Sequence, residues 1–210
     1  MKHTSRHATQ ILPGLFHWTA FHDDIQQDVH SYYFANADCP ILIDPKLPAG
    51  GVDWFTDRPK PKHIFLTNRL HYRDSNRFVT RFGVKVWCHR AGLHEFTADQ
   101  HVQAFEHGDR LPGEVAALEV GALCPEETAF LLPAADGVLA LGDSIIREGE
   151  DLCFVSDDLM DDPPTTRRGL RRSLRALLIQ PFDHLLFAHG EPWIGGGKAA
   201  LREFLNRAGS

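Results

Sequence analysis

The sequence predicts an α/β protein of two β-sheets, each covered on its outer face by helices: a four-layer αββα sandwich in one domain, residues 1–210. Three observations predict it. Strand-like runs cluster, a helix-like segment follows, and the same alternation repeats once, a pattern that suits two packed sheets with helices outside. Residues 63–88 read as one strand–loop–helix–strand unit, in which the short apolar run His63–Leu66 spills into the dense polar loop Thr67–Asp74. Such a junction is where α/β proteins place their chemistry. Third, 210 residues suffice for one sizeable core, and no repeat, low-complexity tract or long linker divides them.

Taken in order, residues 1–9 are expected to form a flexible N-terminus. Residues 10–21 read as an opening strand with a Pro-Gly turn near its start. Val29–Phe34 and Ile41–Ile43 are β-rich runs, the second stopped by Asp44-Pro45. Gly50–Asp57 fits a short helix, and Pro59-Lys-Pro61 leads into the strand at His63. Ser75 is a plausible N-cap for a helix through Phe82 that Gly83 closes. Val84–Cys88 returns as a strand and His89–Phe96 suits a short helix. From Gly108 the texture is antiparallel, with strands at Val115–Val120, Thr128–Leu132, Val138–Leu141 and Asp151–Val155. Thr165 or Thr166 caps a helix to about Leu178, with Leu170, Leu174, Leu177 and Leu178 on one face. His184–Phe187 is the last apolar strand, and Gly196–Arg207 a closing helix.

Composition bounds the function. A content of 43% hydrophobic and 24% charged residues is that of a soluble globular chain. No window approaches the roughly 20 apolar residues that span a bilayer. The N-terminal stretch lacks the apolar segment of a signal peptide, so a cytoplasmic location is expected. A net charge of −6 argues against a general nucleic-acid binder and leaves a small molecule or a protein as the expected partner. The stripe Arg167–Arg175 is either a grip for an anion or a solvated helix face, with Asp157–Asp162 upstream to neutralise it. The 4 cysteines form no Cys-x-x-Cys pair and read as free thiols. Most of the 13 histidines sit singly, without ligand-like spacing.

Five landmarks carry more. They are the strand end Ile43-Asp44, the junction Leu66-Thr67, Gly121-Ala-Leu-Cys-Pro125, Leu141-Gly-Asp143 and Ala188-His-Gly190. In this order they resemble the metallo-β-lactamase superfamily, whose hydrophobic strand ending in Thr runs into His-x-His-x-Asp-His. The resemblance covers roughly residues 11–205 and implies the αββα fold with a pocket lined by residues 68–74, 121–124, 143 and 189. The family's dinuclear site takes about seven His and Asp ligands, so that two cations share one activated water. Here its loop positions fall on Asn68, Leu70, Tyr72 and Arg73, and a further one on Ala122. Asp143 and His189 survive. Sliding the loop by one residue brings His71 and Asp74 into ligand positions and leaves Arg69 in place of the first His.

Two readings compete. One is a single-metal hydrolase of an ester, thioester, amide or phosphoester, with one Zn, Fe or Mn ion on His71, Asp143 and His189 and Asp74 as a possible fourth group. The other is a non-catalytic or metal-independent protein without a cofactor, binding its ligand in the old pocket. Arg69 and Arg73 favour the second, since a guanidinium stays charged and repels a dication. On that reading one of them occupies the vacated metal position and pairs with Asp143. Cys124 is either a nucleophile or soft ligand, with His71 or His189 as base, or a small residue filling a turn. Asp44 either orients a pocket residue, as in the family, or merely ends its strand.

Overall fold

The computed structural model describes residues 6–36 and 38–207. Two sheets lie face to face. The first has seven strands in chain order: β1 (Thr9–Leu12), β2 (Leu15–His22), β3 (Gln27–Phe34), β4 (Ile41–Ile43), β5 (His63–Phe65), β6 (Lys85–His89) and β7 (Gln103–Phe105). Its first four strands are antiparallel neighbours and its last four are parallel. The second contains β8 (Arg110–Leu111), β9 (Val115–Glu119), β10 (Thr128–Leu132), β11 (Val138–Leu141) and, parallel to β11, β14 (His184–Phe187). A separate hairpin joins β12 (Ile146–Glu148) to β13 (Asp151–Cys153).

Side-chain alternation sorts the apolar residues into three cores. Along β4, Ile41 and Ile43 face the second sheet, while Leu42 faces outward. Along β11, Val138 and Ala140 face inward, and Leu139 and Leu141 meet the helices α2 (Pro163–Leu177) and α3 (Gly197–Arg207). The outer face of the first sheet is covered by α1 (Ser75–Phe82) and the 3-10 turn Gly51–Phe55, with Phe55 and Phe78 fully buried. The αββα sandwich is therefore present.

The sheets are stitched where the pocket lies. The Tyr32 hydroxyl donates to the Phe187 carbonyl at 2.8 Å and accepts from its N–H at 3.1 Å. His30 N donates to Ala188 O at 3.0 Å, and Thr128 N to Thr67 O at 2.9 Å. These bonds fix the ends of β3, β5, β10 and β14 against one another.

Several boundaries differ from expectation. Pro13-Gly14 is a hairpin turn between two strands, with Gly14 at φ 72, so the opening element is β1–β2 and not one strand. Residues 1–5 of the expected flexible N-terminus lie outside the described residues. Residues 6–9 are held, because Arg6 N donates to Thr19 O, Ala49 N donates to Arg6 O, and β1 begins at Thr9. α1 starts at Ser75 with Asp74 as its cap residue, and α2 starts at the Pro163-Pro164 pair, capped by Asp162 accepting from Thr165 N at 3.2 Å. The strands β7, β8 and β12 are too short to announce themselves by alternation.

Candidate metal site

The site begins at Thr67, where β5 ends. Its backbone N–H donates to Asp44 Oδ1 at 2.9 Å, and its hydroxyl lies 2.6 Å from Asp44 Oδ2 and 2.8 Å from His71 Nδ1. His71 Nδ1 also lies 2.9 Å from Asp44 Oδ2. With Nδ1 engaged by this buried carboxylate, the His71 ring is fixed with Nε2 turned the other way, 3.2 Å from Asp143 Oδ1. His189, on the loop after β14, brings its Nε2 to 3.3 Å from the same oxygen. The three donor atoms lie within 4.8 Å of one another. Asn68 holds the other carboxylate oxygen, its Nδ2 donating to Asp143 Oδ2 at 2.9 Å.

The contacts at Asp143 Oδ1 are close, yet neither meets hydrogen-bond geometry, and the atom is buried without a hydrogen-bond partner. Separations of 3.2 and 3.3 Å between ligand atoms match the edge of about 3.3 Å of a tetrahedron with bonds of about 2.0–2.1 Å. A carboxylate behind a histidine, as Asp44 stands behind His71, is the arrangement that fixes tautomer and ring in metal sites. These residues fit one ion. They do not fit a second. Ala122, at the position of a family ligand, packs on α2, where a Cβ on Gly169 would come within 2.9 Å of its own.

Burial alone would lower the His71 pKa, but the Asp143 and Asp44 carboxylates outweigh it and raise it to about 9. Burial opposes ionisation of Asp143, and the His71 and His189 imidazoles more than offset it, holding the carboxyl well below the ordinary range. Glu127, fully buried, is raised to about 8 by burial and by Asp143; its Oε1 accepts from Ser144 N at 2.6 Å.

The arginines do not sit where the sequence placed them. Arg73 turns its Nη1 onto two backbone carbonyls, His30 O at 2.9 Å and Asp44 O at 2.7 Å. Arg69 pairs with the buried Glu126 and, at 3.8 Å, with Glu95. The expected Arg–Asp143 pair is thus absent among the described residues. Arg73 spends its Nη1 on peptide carbonyls and leaves Nη2 without a partner, Arg69 pairs with Glu126, and Asp143 is held by the Asn68 amide at Oδ2 with two imidazoles close to Oδ1. Asp74 is not a fourth group either. Its Oδ2 accepts from Leu47 N at 2.8 Å and its Oδ1 lies 3.5 Å from Lys46 Nζ. Cys124 is half-buried on the rim, where burial, Glu127 and Glu126 push its thiol up. That is the opposite of an activated nucleophile. Asp44 does more than end its strand.

The site also contains groups that the sequence reading passed over: His30, Glu126 and Glu127. The adjacent pair Glu126-Glu127, running straight into the strand at Thr128, was a legible signal, because two carboxylates entering a buried strand need a reason.

No protein-family model matches the sequence, and no curated protein does. Solved structures do match. The DIM-1 metallo-β-lactamase superposes with a TM-score of 0.74 at 12% identity, covering 98% of this chain and 97% of that one. The metallo-β-lactamase family protein TTHA1429 from Thermus thermophilus gives 0.68 at 18%, with coverage of 94% and 80%. TTHA1623, solved in a di-iron-bound form, gives 0.64 at 25%, with coverage of 82% and 92%. A flavo di-iron protein variant from Thermotoga maritima matches at 0.66 and 14%, and there the chain spans only 61% of the other protein's length. The chain has the fold of the metallo-β-lactamase superfamily.

Proposed function

We propose that this protein is a single-metal hydrolase of the metallo-β-lactamase fold, acting on an ester, thioester, amide or phosphoester. The observation that carries the reading is the convergence of His71 Nε2, His189 Nε2 and Asp143 Oδ1, whose contacts are poorly aligned as hydrogen bonds, at coordination-edge spacing. Zinc, iron or manganese there would act as a Lewis acid and lower the pKa of water. Asp44 and Thr67 hold His71 in orientation, and Asn68 presents one carboxylate oxygen of Asp143 while occupying the other. Of the arginines that weighed against a cation, Arg69 is neutralised by Glu126, while Arg73 turns its Nη1 onto carbonyls and keeps its charge beside Asp44 and Asp143. Solved relatives of this fold, TTHA1623 among them, hold di-iron centres; here the Ala122 position restricts the reading to one ion.

A second reading rests on a specific observation. A His71 imidazolium between Asp44 and Asp143, together with the buried Arg73 guanidinium beside them, balances the two carboxylates with no metal, as a metal-independent ligand-binding protein would require. Elemental analysis of the purified protein separates the two. The hydrolase reading expects about one equivalent of zinc, iron or manganese per chain, lost in His189→Ala. Protein free of His189-dependent metal, after growth in metal-supplemented medium, supports the second reading and ends the first.

A further inference from the structure

A second cluster of imidazoles lies on the other side of the loop that carries His189. His17 and His30 stand on the same face of the β2–β3 hairpin, where register pairs His17 with Tyr32 and His30 with Thr19. Both are buried, at 6% and 5% exposure, among positions that an ordinary sandwich fills with apolar side chains. Their rings are coplanar to 7° with centroids 5.0 Å apart, and His17 Nε2 lies 2.8 Å from His30 Nδ1, so they meet edge to edge through one shared hydrogen. Tyr32 lies 5.2 Å from the His17 ring at 27°. Glu191, two residues beyond His189 and exposed, places its Oε2 3.9 Å from His17 Nδ1.

We infer that His17, His30 and Glu191 form a second cation site, for a borderline transition-metal ion such as Zn²⁺, Co²⁺ or Ni²⁺. One donor atom from each lies within 4.8 Å of the others. Two imidazoles and one carboxylate are a known ligand set for zinc, and imidazole suits these ions. The 2.8 Å separation runs from His17 Nε2 and the 3.9 Å separation from His17 Nδ1. With the ion on His17 Nε2 and His30 Nδ1, the imidazole pair opens toward the edge of about 3.3 Å expected for bonds of about 2.0–2.1 Å, and the exposed Glu191 side chain swings in to complete the set. Both rings are neutral at ordinary pH, as ligation requires, because burial and neighbouring cations hold their pKa values at about 4 and about 3. The shared hydrogen moves to the outer nitrogen of the same ring when the ion enters, so no proton is lost. Of the nearby cations, Arg6 lies 3.6 Å from Asp28 at the surface, and Arg73 donates to the carbonyls of His30 and Asp44. The exposed Glu191 side leaves the remaining positions to water. Glu191 and His189 share one short loop, so each cluster takes a ligand from it.

The site is independent of the hydrolase reading and is tested where that site is disabled. His189→Ala protein, stripped with chelator, is titrated with Co²⁺ and followed by its visible absorption. The expected result is about one equivalent bound, with affinity reduced at least about tenfold by adding Glu191→Gln, a surface change that spares the fold, since even outer-shell changes cost 10–100-fold. His17→Gln and His30→Gln, checked for folding by circular dichroism, reduce it likewise. No Co²⁺-dependent absorption in His189→Ala, or absorption unchanged by Glu191→Gln and His17→Gln, overturns the inference.

Discussion

Thr67 is the joint on which the residues of the site depend. One hydroxyl touches Asp44 and His71 together, and the backbone N–H beneath it holds the same carboxylate. Thr67→Val keeps the volume and leaves two buried polar groups short of a partner, at a cost of about 1–3 kcal/mol read by urea denaturation. Arg73 is the second anchor. It sits at φ 45 and bonds the carbonyl of Asp44, itself at φ 46, so two residues in the left-handed region face each other across the pocket wall. Arg73→Met removes charge-assisted bonds to two carbonyls and is expected to destabilise by about 3 kcal/mol. A loss below about 0.5 kcal/mol in the same assay, the size of an ordinary surface substitution, contradicts the bonding described.

At the scale of elements, the turn Gly142-Asp143-Ser144 is clamped from two sides. A Cβ on Gly142 would lie 2.9 Å from Thr67 Oγ1 and 3.2 Å from Glu127 Oε1, and Ser144 N is held by Glu127. Gly142→Ala therefore moves Asp143 and is expected to weaken metal binding at least about tenfold, against a loss near zero if the turn simply relaxes. These elements differ in how readable they were. β4, β10, β11 and β14 announce themselves as apolar runs ended by Asp, Pro or Gly, and four of the five landmarks lie at strand ends or just beyond them. The side-chain directions in loop 67–74 were not readable, because a 3-10 turn over Arg69–Tyr72 and the positive φ of Arg73 rotate the ligands out of a gapless alignment. His71, one position away from the family pattern, takes the inward place. The arginines left it for backbone carbonyls and Glu126, partners that no linear spacing reveals. On α2, Arg167 meets Asp157 at 2.6 Å, Arg168 donates to Thr165, and Arg175 donates to Leu205 O, so much of the basic stripe is spent within the fold.

The whole molecule places its buried imidazoles between the sheets, and its pH response follows. His17 and His30 have folded pKa values of about 4 and about 3, below the ordinary 6.5. The unfolded chain takes up their protons first, so the stability they contribute is present above about pH 6.5 and is lost as pH falls toward 3. His71 in metal-free protein runs the other way. Its pKa of about 9 gives stability that is present below about pH 6.5 and lost as pH rises through 9. Chelated protein is therefore expected to be most stable near neutrality, with urea midpoints falling on both sides; a midpoint flat from about pH 4 to 7 contradicts the burial of the pair. The His71 proton also competes with metal, so affinity should fall about tenfold per pH unit below 9. Among the described residues no helix is long and apolar enough to cross a membrane. The most direct test of a metal held by His71, Asp143 and His189 is anomalous diffraction at the metal edge from crystals of the purified protein. A peak about 2.0–2.2 Å from both Nε2 atoms and from Asp143 Oδ1 is the result predicted. No peak there, with His71 Nε2 hydrogen-bonded in line to Asp143, contradicts it.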